Sequence, residues 1–258
     1  MKLWAIIFNT FRETVRDRIL YNLLVFAVFM ILLSMALGRL SFTEQERITV
    51  DVGLTTVSVF SLIMAVFLGI RLINKEIDKK TVYTLIAKPV PRYYFILGRY
   101  LGLMLTIGLN ILIMAAAFGF IICYIHRELV WPIDFALFQA LLLIYLEVSI
   151  IIAAAMVFSS FSTATLSAIF TLCFLVIGRF TAGIYEFAEK AQEEVFKWGG
   201  IVLYYVVPNL TDFVQVENAV YGEPLPGLLF LSIIGKGVLW TAFFLLIAIA
   251  VFQKKDFL

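Results

Sequence analysis

Few side chains in this 258-residue chain are of types that do chemistry. The two cysteines, Cys123 and Cys173, each sit inside an apolar run. Their spacing suggests no metal, haem or disulfide framework, and they read as buried, inert thiols. The single histidine, His126, lies just past an apolar run with no second ligand near it, so a polar residue at an interface is the expected role. No Gly-x-Ser-x-Gly, His-Glu-x-x-His or Gly-x-x-x-x-Gly-Lys-[Ser/Thr] pattern occurs. The chain is therefore expected to be no enzyme, with no catalytic set, metal or cofactor of its own. One acid, Glu147, interrupts the apolar run 135–178. A charge placed so deep is costly and usually faces a partner or an internal path. Three roles stay open for Glu147: a translocation path, a contact across a dimer, or a hydrogen-bonded packing element.

The remaining candidate is a charged stretch, "NKEIDKKTVYTLIAKPVPRYYFILGRY", at 74–100. From Arg71 to Arg99 it holds seven basic residues and two acids between two long apolar segments. Residues 74–88 contain helix formers and neither glycine nor proline. Pro89 and Pro91 then stop a helix abruptly, because proline disfavours helical geometry in the residue before it. A basic loop that only holds its side of the membrane would explain the charge. It would not explain a helix with a rigid double-proline exit, which suits the docking of a cytoplasmic partner.

The elements that position these residues follow from composition. The chain is 63% hydrophobic, against about 45–50% in a soluble domain. A membrane-crossing helix needs about 20 apolar residues. The chain is thus expected to be all-α and polytopic, with six transmembrane helices at about 19–38, 52–73, 97–125, 135–158, 164–183 and 228–252. The polar cluster "SSFSTAT" at 159–165 is the expected turn between the fourth and fifth. Lys236 lies near the start of the sixth, where a long side chain can snorkel.

Residues 1–18 form an expected surface helix, with Trp4, Ile7, Phe8, Phe11 and Val15 on one apolar face. The coupling helix is expected at 74–88 and an outer segment of short helices at 184–227. Within that segment "GGIVLYYVVP", 199–208, is too short to cross and reads as re-entrant or interfacial. The alanine runs 115–117 and 153–155 permit close helix approach.

With both termini in the cytoplasm, 13 of the 20 basic residues lie inside, and twelve of the 18 acids lie outside. That asymmetry supports six spans with both termini cytoplasmic.

The segment "KEIDKKTVYTLIAKPVPRYYFILGRYLG" resembles the signature of ABC exporter permeases of the second membrane-fold type, the ABC-2-like permeases. Glu76, Thr81, Leu85, Pro89, Arg92, Gly98 and Arg99 match its pattern. Lys80 stands where that family usually has glycine, and Arg99 replaces the commoner lysine. The ending "FQKKDFL" is similar to the family's basic-acidic-apolar tail. The nearest resemblance is to permeases associated with multi-copper enzyme maturation.

The resemblance implies a permease subunit of an ATP-driven exporter in the bacterial inner membrane, multi-pass, without an ATPase site. ATP and magnesium would sit on a separate ABC ATPase. That ATPase would dock on 74–92, with Glu76, Lys80, Thr81, Leu85, Pro89 and Arg92 as contact or coupling residues. A second permease copy or a sister permease would complete the pathway within the lipid bilayer. Nucleic acid is not an expected partner. The alternative class is a non-transporting membrane anchor or assembly factor that recruits a cytoplasmic partner.

Overall fold

A computed structural model of the chain describes residues 2–39, 45–78, 92–126, 135–190 and 193–254. The described residues form helices and short connections, with no strand. In chain order these are α1 (Lys2–Val15), α2 (Arg18–Arg39), α3 (Gln45–Asp78), α4 (Arg92–His126), α5 (Phe135–Phe161), α6 (Ala164–Lys190) and α7 (Glu194–Val206). A 3₁₀ turn (Leu210–Phe213), α8 (Val216–Val220) and α9 (Gly227–Lys254) complete the chain.

Among the described residues, five segments are long and apolar enough to cross a membrane: Arg47–Arg71, Tyr93–Ile125, Phe135–Phe161, Ala164–Lys190 and Gly227–Gln253. The sixth expected span, 19–38, falls on α2. It reaches crossing length as a bent pair with α1, Leu3–Val15 and Leu20–Ala36, which meet at 63°. The protein is an all-α, multi-pass membrane protein with five to six such helices.

α5 is apolar on every face, which is the pattern of a helix surrounded by others. It packs against α9, α3, α6 and α4. Ala153, Ala154 and Ala155 are fully buried there, so this alanine run serves packing inside the chain. Several hydroxyls in the helices return their hydrogen to the preceding turn, which keeps those groups satisfied away from water. Thr106 donates to Gly102 O at 2.9 Å, and Thr171 donates to Ser167 O at 2.7 Å. α5 turns into α6 at 162–163, inside the expected polar cluster. Ser162 Oγ donates to Phe158 O at 2.6 Å and lies 2.7 Å from Ser167 Oγ.

Several boundaries differ from the sequence reading. α3 runs unbroken to Asp78, so the expected break at 74 lies inside a helix. A run without glycine or proline gives the backbone no reason to stop there. α6 continues to Lys190 rather than ending near 183. α7 then folds back along it, with the Tyr185 and Tyr204 rings 4.7 Å apart. Its 13 residues are too few to cross, and it ends where Val207 adopts the extended backbone preferred before Pro208.

The face of α1 that meets the protein carries Ile7, Thr10 and Thr14. Trp4 and Phe8, expected on the same face as Ile7, remain exposed. Cys173 is exposed and Cys123 half-buried, so neither is the buried thiol expected. An apolar surface suits a small thiol when the surroundings are lipid.

Candidate functional site

Two sets of polar groups stand out. The first frames the charged stretch. Glu76 lies on the backbone of α3, and Arg92 opens α4. Lys80, Thr81, Leu85 and Pro89 lie outside the described residues. On each side of the stretch an arginine is tied to the N-terminal segment. Arg71, near the end of α3, meets Asp17 at 2.8 Å, and Arg99, early in α4, meets Glu13 at 3.1 Å. Glu13 and Asp17 are four residues apart, so one end of the N-terminal segment holds both helices that flank 79–91.

Glycine permits this seating. A Cβ on Gly98 would fall 2.6 Å from Ile6 Cγ2, and one on Gly102 would fall 2.9 Å from the Ile7 carbonyl oxygen. The pair forms a Gly-x-x-x-Gly face that lets two helix backbones approach closely. The sequence reading used Gly98 only as part of a signature. The four-residue spacing to Gly102 was a signal it did not use.

The second set lies inside the membrane-spanning helices. Glu147 on α5 is fully buried and meets Arg179 on α6, with Arg179 Nε 2.8 Å from Oε1 and Nη2 3.0 Å from Oε2. The same Nη2 donates to Ser58 Oγ on α3 at 3.1 Å. The Nη2–Oε2 contact is a charge-assisted hydrogen bond, of the kind roughly twice as strong as a neutral one, and the close Nε–Oε1 approach adds Coulombic attraction. Three helices are thereby cross-linked within one chain. Glu147 is spent on an internal partner, while the Arg179 side chain stays about a quarter exposed at 26%.

The sequence reading gave Arg179 no role, although a signal existed. Glu147 precedes the end of α5 by 14 residues, and Arg179 follows the start of α6 by 15. At about 1.5 Å per residue both lie some 21–22 Å from the shared turn, which puts them level in an antiparallel pair.

The segment after α7 packs on the α6 backbone beside this pair. Thr211 Oγ1 donates to the Arg179 carbonyl at 3.0 Å. Leu210 packs so closely on Gly178 that a Cβ there would lie 2.7 Å from its Cδ1. Lys236 does not merely snorkel: its Nζ meets Asp212 Oδ2 at 2.9 Å. Buried Gln139 on α5 clamps both backbone groups of Leu225, receiving its N–H at 2.8 Å and donating to its carbonyl at 3.3 Å. Residues 208–226 are thus pinned to α5, α6 and α9. Among the described residues, no three His, Cys, Asp or Glu side chains gather as a metal site would require.

A family model described as "ABC-2 family transporter protein" matches residues 4–257, nearly the whole chain. No curated protein matches it.

Proposed function

The chain belongs to the ABC-2 family of transporter proteins, and from that premise we propose that it is the permease subunit of an ATP-driven exporter powered by a separate ABC ATPase. The observation that carries this reading is the family match over 4–257 in a chain without a phosphate-cradling Gly-x-x-x-x-Gly-Lys-[Ser/Thr] loop. The ATPase docks on 74–92, using Glu76, Lys80, Thr81, Leu85, Pro89 and Arg92. ATP and magnesium stay on that partner.

Both termini face the cytoplasm, and the chain resides in the cytoplasmic membrane, as the bias of basic residues supports. A second copy or a sister permease supplies the other half of the pathway. Two features support α6 as a wall of that pathway: much of its surface is unpartnered, and Arg179 is partly exposed on it. Glu147 then acts by holding Arg179 in place rather than by meeting cargo. Service to the maturation of a multi-copper enzyme is the narrower form of this proposal and rests on the sequence resemblance alone.

The test is purification of the full chain in mild detergent from its native membrane, followed by reconstitution with the ATPase that accompanies it. The expected outcome is an ABC-type ATPase held in equal number and hydrolysing ATP faster in liposomes with the permease than without it. Purification with a cytoplasmic partner that lacks a nucleotide site would overturn the proposal in favour of an anchor.

A further inference from the structure

An apolar groove of about 710 Å³ opens on the outside of the bundle between α1, α4 and α5. Its volume is in the range of small-molecule sites, about 300–1,000 Å³. The α1 side is Trp4, Phe8 and Phe11, and the far end is Phe138 near the start of α5. Along α4 the lining runs from Met104 to Ala115, eleven residues and about 16 Å by helix rise. That is close to half of a hydrocarbon core of about 30 Å, the depth of one leaflet. The α4–α5 wall belongs to helices that cross the membrane, so the groove opens toward lipid rather than water.

One end of the groove is charged. Arg12 stacks on the Phe8 ring, its Cζ 4.4 Å from the centroid, and Phe8 itself lines the groove. Arg12 and Arg16 are both exposed. Residues 4, 8, 12 and 16 share one row of α1 and the turn that follows it, because residues four apart stack on one helix face. Two aromatic rings at the groove therefore give way along that row to two guanidinium groups.

We propose that this groove is a binding site for one anionic phospholipid of the surrounding leaflet, with an acyl chain between α4 and α5 and the phosphate on Arg12. Arginine matches a phosphate through its fork of N–H donors. A basic helix edge beside an apolar slot is the arrangement that recognises an anionic lipid by both parts. The site needs neither the ATPase nor transport, so it stands or falls separately from the permease assignment.

The test uses the full chain in mild detergent with added phosphatidylglycerol or phosphatidylcholine, read by native mass spectrometry. A phosphatidylglycerol carrying a photoreactive tail maps its crosslinks. One phosphatidylglycerol per chain should be retained in preference to phosphatidylcholine, with crosslinks on Leu109 and Leu112. Arg12→Ala should weaken retention about fivefold, the effect of one basic residue near an anionic surface, and Arg12→Lys should restore most of it. Gly108→Trp, which fills the slot, should remove the crosslinks while Arg12 is intact. Equal retention of the two lipids, unchanged by Arg12→Ala, would overturn the proposal. So would crosslinks spread evenly around the bundle, or Leu112 crosslinking to a second copy of the chain.

Discussion

At the scale of single residues, the Glu147–Arg179 pair makes the sharpest demand on the surroundings. Removing one partner of a buried ion pair leaves an uncompensated charge, at a cost of about 3–5 kcal/mol. Arg179→Ala should therefore lower the thermal unfolding midpoint of the purified chain far more than the double replacement Glu147→Leu with Arg179→Met. The double variant trades the pair for apolar packing and should come close to the parent. Unfolding curves in one detergent decide it, and an Arg179→Ala protein as stable as the parent would mean that the pair does not carry its charge.

Glu76 and Pro89 belong to the same scale. A charge at a docking surface gives orientation and specificity, and burying it unpaired costs about 2–5 kcal/mol. Glu76→Lys should reduce co-purification of the ATPase while the permease still inserts. Pro89→Ala should keep docking and lower transport per ATP hydrolysed, because only proline locks the backbone φ at that point. Full binding and full transport in both variants would leave 74–92 as a topology loop.

Elements impose a different logic, since stiffness and seating matter more than any one contact. α3 and α4 are 34 and 35 residues long and flank the charged stretch, and both are tied to the N-terminal segment through Arg71–Asp17 and Arg99–Glu13. The largely exposed Arg71–Asp17 pair contributes only about 0–1 kcal/mol. The seating of α1 rests more on the glycine face of α4, where overpacking typically costs about 1–3 kcal/mol. Gly102→Leu should therefore displace α1, whereas Asp17→Asn should leave it in place. Labelling of a cysteine introduced at Thr10, in a background lacking Cys123 and Cys173, reports the difference: it should react readily only in the Gly102→Leu protein. Equal labelling in both proteins would remove the glycine face as the reason α1 sits where it does.

For the whole molecule the open quantities are sidedness and number of copies. Reporter fusions after Lys80 and after Lys255 should both read cytoplasmic, and a fusion after Glu194 should read external. An external signal at Lys255 would break the even count of crossings. Native mass measurement of the assembled transporter should find two permease chains, identical or sister. A single permease chain on its ATPase would count against a shared pathway.

The crossing helices, the polar turn at 162–163 and the apolar all-round character of α5 were legible from the sequence. Each depends on local properties: the length of an apolar run, a cluster of hydroxyls, the absence of a polar face. The family signature was legible for the same reason, being contiguous. Only the tertiary structure decided what the polar residues do. Glu147 reads as solitary until α6 packs beside α5 and brings Arg179 level with it. Lys236 reads as a snorkelling side chain until the segment after α7 folds back and presents Asp212. The apolar face of α1 could not be resolved from periodicity, because inside a membrane protein apolar side chains face both lipid and protein. Hydrophobicity distinguishes those two surroundings poorly, and close packing against small residues such as Gly98 and Gly102 is what separates them.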